Sequence, residues 1–146
     1  MKYTDFFQTG DIILCDRFFY KHYGIYAGNG RVIHYAAENG DFGNDVCVRE
    51  TSLKQFTGDG EYEIARFEGN QCNSKRFSPK ETVRRARSRI GEKSYNLLFN
   101  NCEHFALWCK CGENKSVQVE KAVTAAAVLG IVAAITYIAV KSDKEE

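Results

Sequence analysis

The segment Asn100-Asn101-Cys102-Glu103-His104-Phe105, continued by Ala106-Leu107-Trp108-Cys109, reads as a cysteine set in the first turn of a short buried helix. Asn100 or Asn101 can cap its start, because an asparagine side-chain oxygen accepts from the free backbone N–H groups there. Gly112 is a natural stop just past the end. The spacing Cys102, Phe105, Ala106, Cys109 puts one apolar stripe inward and seats the sulfur where helix meets core. A thiol so placed feels the positive end of the helix dipole, which favours thiolate. The same residues also fit an inert cysteine used as a small hydrophobe. What separates the two lies upstream.

Gly10-Asp11-Ile12-Ile13-Leu14-Cys15-Asp16 has the composition of a first strand, opened by a Thr9-Gly10 turn. The aromatic-basic segment Arg17-Phe18-Phe19-Tyr20-Lys21 leads to a second strand, His22 to Ala27, and Gly28-Asn29-Gly30 turns the chain into a third, Arg31 to Ala36. Side chains alternate along a strand, so His22, Gly24 and Tyr26 share a face. A three-residue loop centred on Asn29 sets Gly24 opposite His34 and brings both histidines to one face; a two-residue Asn29-Gly30 turn would separate them. The three-residue loop is the expectation, with Gly24 leaving room between the histidines for a third group.

Val46 to Glu50 and Glu61 to Phe67 read as further strands, with a short turn over Leu53 to Phe56 and an exposed, turn-rich stretch from Glu38 to Asp45. Ser78-Pro79-Lys80-Glu81 is a helix start, with a capping serine and proline in the first position. That helix should end by Ile90-Gly91, burying Val83, Ala86 and Ile90. Arg84, Arg85, Arg87 and Arg89 would form either a solvated basic face or a contact for anionic headgroups.

A net charge of +1 gives no pull toward nucleic acid, and no basic recognition helix is visible. The N-terminus lacks an apolar run of signal-peptide length, so the six cysteines are expected to be reduced thiols in the cytosol. From Ala122 to Val140 there are 19 consecutive uncharged residues between Lys121 and Lys141. As a helix they would span roughly 28 Å, close to the ~30 Å hydrocarbon core of a bilayer. With six residues beyond, the expectation is a tail-anchored protein whose catalytic part faces the cytosol. The expected divisions are a catalytic domain over 1–114, a juxtamembrane linker over 115–121, the anchor over 122–140 and a short tail over 141–146. Ala126, Gly130 and Ala134 would permit weak self-association of the anchor. A buried amphipathic helix is the alternative for the same segment.

A nucleophilic cysteine needs a base within hydrogen-bond reach and a group to orient that base. His22 and His34 on one face, with Cys102 packed across them, would meet that need. His104 lies about 200° around the helix from Cys102 and should point off the site. A zinc site from Cys102, His104, Cys109 and Cys111 is the rival, but its spacing lacks paired C-x2-C knuckles. No metal is therefore expected.

Asn101-Cys102-Glu103-His104-Phe105, preceded by Gly10-Asp11-Ile12, His22-Tyr23-Gly24-Ile25-Tyr26 and Val32-Ile33-His34, resembles the lecithin:retinol acyltransferase-like superfamily. Within it the likeness is to the small phospholipase A and acyltransferase group, also called H-Ras-like suppressors, over about residues 8 to 140. The resemblance implies an α+β fold of the circularly permuted NlpC/papain-like type, an antiparallel sheet packed on helices, followed by the transmembrane helix. It implies Cys102 as nucleophile, His22 as general base and His34 as the residue orienting it. Arg17 and Asn101 match positions the family keeps near its site and are expected to support carbonyl or headgroup. The family's usual Glu/Gln-His-Trp-Ala is Lys21-His22-Tyr23-Gly24 here, and Phe18 replaces its proline.

The implied activity is cleavage of sn-1 or sn-2 esters of glycerophospholipids through a cysteine thioester. Water or the amine of phosphatidylethanolamine would accept the acyl group, and no cofactor is required. The site would face the cytosol from an endoplasmic reticulum, peroxisomal or mitochondrial membrane. Two rival readings are a tail-anchored adaptor with an inert cysteine and an NlpC-type cysteine peptidase or deamidase.

Overall fold

Five strands, β1 (Ile12–Asp16), β2 (Lys21–Gly28), β3 (Arg31–Ala36), β4 (Cys47–Ser52) and β5 (Tyr62–Ile64), form one antiparallel sheet in the order β4-β3-β2-β1-β5. Three helices accompany it: α1 (Leu53–Thr57), α2 (Pro79–Ser88) and α3 (Cys102–Cys111). The structure is a computed structural model describing residues 6–67, 72, 76–93, 102–112 and 125–133. The chain falls into two units, 1–115 and 116–146. An antiparallel sheet with helices bears out the α+β expectation.

The β2–β3 hairpin reaches the expected register by a different route. Asn29 and Gly30 make a two-residue turn with Gly28 paired to Arg31, and φ is positive at Gly28, Asn29 and Gly30 (90°, 51° and 67°). Such a turn alone would put the histidines on opposite faces. A β-bulge between Tyr26 and Gly28 inserts one residue and shifts the register back, so that Tyr26 pairs Val32 and Ile25 pairs Ile33. The tight turn follows from Asn-Gly chemistry, and the bulge undoes its consequence for the histidines.

The sheet buries both faces. Ile12, Leu14, Tyr23, Ile25, Ile33, Tyr35 and Val48 pack with Val83 and Ala86 of α2 and Cys102, Phe105, Ala106 and Cys109 of α3. On the other face Ile13, Cys15 and Val32 lie under Phe56 of α1. The turn expected over Leu53 to Phe56 is this short helix. Its Ser52 forms a capping box with Gln55, which satisfies two otherwise free N–H groups.

The serine-proline start holds at α2, where Ser78 caps through Glu81 N–H. Ile90 does not join the buried stripe. The helix ends at Ser88, so the period of 3.6 no longer governs where Ile90 points, and it is 48% exposed. All four arginines find partners within the protein: Arg84 with Glu81, Arg87 with Glu50, Arg89 with Glu92, and Arg85 on the Trp108 carbonyl and over the Phe77 and Trp108 rings. The expectation of six free thiols is corrected as well, because Cys72 and Cys111 are joined in a disulfide.

Residues 125–133, inside the expected anchor, are helical and exposed; the rest of 122–140 lies outside the described residues. Among the described residues no helix is long and apolar enough to cross a membrane.

Candidate active site

The strand start at Lys21-His22 positions the candidate groups. His22 lies opposite Cys15 of β1, on the face that Phe56 covers. Its Nε2 is 2.8 Å from His34 Nδ1, and His34 Nε2 is 2.8 Å from Thr51 Oγ1. Both imidazoles are 2% exposed, so neither is wetted enough to do without protein partners. The room expected beside Gly24 is filled by Phe56, whose ring stacks on His22 at 5.2 Å and meets His34 edge-on at 5.0 Å. A Cβ at Gly24 would lie 2.6 Å from Val32 Cγ1 and 2.9 Å from Phe56 Cε2.

The hydrogen bonds favour one assignment of the tautomers. Thr51 Oγ1 donates to the Ser52 carbonyl at 3.3 Å, which leaves it to accept from His34 Nε2–H. His34 Nδ1 then carries a lone pair and accepts from His22 Nε2–H. A carboxylate oxygen, Asp41 Oδ1, lies 3.6 Å from the same Nε2 and also favours a proton there. His22 Nδ1 is left as the basic nitrogen.

Asp41 is held in turn. It accepts from Arg17 Nε at 2.7 Å and from the Tyr20 hydroxyl at 2.7 Å, and the Arg17 donor bond lowers its carboxyl below the usual range against the opposing effect of burial. Arg17 also donates to the Phe56 carbonyl at 2.7 Å. Its guanidinium therefore ties β1, α1 and the Asp41 loop together, rather than standing free for a carbonyl or headgroup. Asn101 lies outside the described residues.

Cys102 opens α3 from the opposite side. It is buried with the helix-covered core, and its Sγ donates to the Lys21 carbonyl at 3.4 Å, one residue from His22. Among the described contacts the sulfur has no direct hydrogen bond to either imidazole. The expectation of Cys102 packed across the histidine face is thus modified. Cys102 packs in the helix-covered core, hydrogen-bonded to the main chain one residue before His22, while both imidazoles lie on the face that Phe56 covers.

Burial also reverses the expected thiolate. Desolvation pushes the Cys102 thiol up to about 12, and the Glu103 carboxylate adds to that. The main-chain N–H groups of Tyr23, Cys102 and Glu103 act in the lowering direction and do not win. Burial likewise holds His22 down to about 4 and His34 to about 3, with Asp41 opposing and Arg17 assisting in both. At neutral pH the resting pair is thiol and neutral imidazole. Cys111 is bonded to Cys72, which removes it from the zinc alternative.

Asp41, Tyr20, Thr51 and Phe56 were not legible as site residues. Asp41 sits in a stretch that reads as exposed turn, and Thr51 joins the histidine face only once the β3–β4 register, with Val32 opposite Thr51, is known. Phe18 and Phe19, 95% and 90% exposed, and Phe42, 63% exposed, belong to the two loops that carry Arg17, Tyr20 and Asp41.

Residues 6–115 match the family model described as lecithin retinol acyltransferase. Phospholipase A and acyltransferase 2 of Homo sapiens is 31% identical over 149 residues, covering 91% of this chain and 89% of that protein. Phospholipase A and acyltransferase 1 of Homo sapiens is 32% identical, with 79% and 74% covered. Lecithin retinol acyltransferase of Mus musculus is 29% identical over 79% of this chain, which spans 59% of the mouse protein's length.

Proposed function

The chain belongs to the lecithin retinol acyltransferase family, and on that premise we propose that it is a membrane-anchored thiol acyl hydrolase and acyltransferase acting on glycerophospholipids. The observation that carries the reading is the 2.8 Å His22–His34 bond, which leaves His22 Nδ1 basic, beside a buried Cys102 held at the Lys21 carbonyl. The hairpin bearing the histidines precedes the cysteine helix, the order that a circularly permuted NlpC-type fold requires.

In the proposed reaction His22 Nδ1 takes the proton of Cys102 Sγ as the sulfur attacks an sn-1 or sn-2 ester carbonyl. With the thiol at about 12, proton removal and attack proceed together rather than from a stored thiolate. N–H groups at the start of α3 receive the oxyanion. The C–O bond breaks, His22 protonates the departing lysophospholipid oxygen, and a thioester on Cys102 remains. Water, or the amine of phosphatidylethanolamine, then attacks the thioester and gives its proton to His22. The sulfur leaves with the electron pair and is reprotonated.

The membrane part rests on the 19 uncharged residues 122–140 and on the exposed Phe18, Phe19 and Phe42 beside the site. An anchor raises the effective concentration of a bilayer substrate. The proposed setting is the cytosolic face of an intracellular membrane. The test is fatty-acid release from phosphatidylcholine vesicles, and N-acyl product once phosphatidylethanolamine is added, by the full chain and by Cys102→Ala. Both products should vanish in the variant. Deleting 122–140 should depress turnover on vesicles far more than on a short-chain soluble ester; equal losses would refute the anchor.

A further inference from the structure

Asp41 is the one carboxylate that reaches the imidazole pair among the described contacts, and the reaction as written does not use it. Its side chain is 13% exposed and fixed by the Tyr20 hydroxyl at 2.7 Å and by Arg17, whose Nε reaches Oδ2 at 2.7 Å and whose Nη2 reaches Oδ1 at 3.5 Å, with Oδ1 also 3.6 Å from His22 Nε2. We propose that Asp41 is a positioning residue for His22, a fixed negative charge that holds the proton on Nε2 and stabilises the imidazolium formed when Nδ1 takes the Cys102 proton. This rests on the function proposed above.

The argument is one of charge and geometry. A neutral imidazole buried against Phe56 becomes a cation in mid-reaction, and a buried cation without a counter-charge is strongly disfavoured. His34 accepts from Nε2–H but carries no charge to offset that cation. The groups that face His22 are His34 from β3, Cys15 from β1, and Arg17, Tyr20 and Asp41 from the loops. Of these, Asp41 favours the charged imidazole, while Arg17 opposes it. Tyr20 and Arg17 also keep Asp41 from rotating into solvent. No proton reaches Asp41: the proton taken from Sγ stays on Nδ1 until the leaving oxygen receives it.

The experiment compares full-length protein with Asp41→Asn and Asp41→Glu on phosphatidylcholine vesicles across pH. It also follows the His22 titration by NMR, which reads the same interaction whether or not phospholipid is turned over. Asp41→Asn should lower kcat about tenfold with KM within about twofold, and move both the acid limb of kcat/KM and the His22 midpoint down by about one pH unit. Asp41→Glu should restore most of both. If Asp41→Asn does not fold, Asp41→Ser carries the same expectations. An unmoved His22 midpoint, or a loss confined to KM and thermal stability, would overturn the proposal and leave Asp41 a loop anchor. A His22 midpoint that moves as expected in a protein with no activity on phospholipid would sustain the electrostatic pairing and refute the proposed reaction instead.

Discussion

The two faces of the sheet are cut from the same strands and carry different loads. On the helix-covered face Ile12, Leu14, Ile25, Ile33 and Val48 offer only apolar surface, and α2 and α3 close over them. On the other face His22, His34 and Thr51 run as a hydrogen-bonded row beneath a single aromatic lid, Phe56. The first face can lose a methylene and relax. The second has polar atoms that must keep their partners, so it is where small changes should be felt as chemistry. Cys102 belongs to the first face and the proposed base, His22, to the second; Cys102 is bonded to the Lys21 carbonyl at the start of β2, one residue before His22.

The sharpest way to break this division is to strip the histidine face of its base. His22→Gln should lower phospholipid turnover on the order of a thousandfold while the helix-covered core keeps the protein folded, as checked by circular dichroism beside the kinetics. Phe56→Ala should cost about 3–5 kcal/mol in denaturant unfolding, because the lid touches both imidazoles and nothing else fills its place.

Acid should act strongly on the histidine face. His22 and His34 sit at about 4 and about 3 when folded, below an ordinary 6.5, so the unfolded chain binds more protons between those limits. Stability should be flat between about pH 6.5 and 8 and fall as pH drops toward 4, with His22 alone accounting for roughly 3 kcal/mol. His34→Gln should flatten that slope in chemical denaturation followed against pH.

Gly24→Ala tests the close approach of Phe56. Its Cβ would press on Val32 and Phe56, and a loss of about 1–3 kcal/mol is expected. Smallest is Thr51→Val. Removing the acceptor of His34 Nε2–H frees the tautomer chain, and about a tenfold fall in kcat is expected, with KM unchanged.

Local chemistry made much of this readable. Alternation placed the strands from Ile12 to Ala36, Gly28-Asn29-Gly30 placed the hairpin turn, though as a three-residue loop where the structure has two, Ser78-Pro79 placed a helix start, and Gly112 placed the end of α3. The histidines were legible because period two ties His22 to Gly24 and Gly24 to His34. What was hidden depends on contacts distant in sequence. The bulge at Gly28 corrects a register that the turn alone would have set wrong. Asp41 comes to His22 only through Arg17 and Tyr20. The Cys72–Cys111 bond joins residues 39 apart, which spacing alone does not pair. The thiolate expectation failed for a related reason: a helix start favours the anion locally, but the depth of Cys102 is set by the whole core.

The central claim is that Cys102, and no other of the free cysteines Cys15, Cys47 and Cys109, carries the acyl group. The direct measurement is intact-protein and peptide mass spectrometry of the full chain quenched in acid during turnover of phosphatidylcholine vesicles. The account predicts a hydroxylamine-labile adduct of one acyl chain on the peptide containing Cys102, present in wild type, accumulating when the acceptor is scarce and absent from Cys102→Ala. Fatty-acid release that persists in Cys102→Ala, or an adduct mapped to another residue, would contradict it.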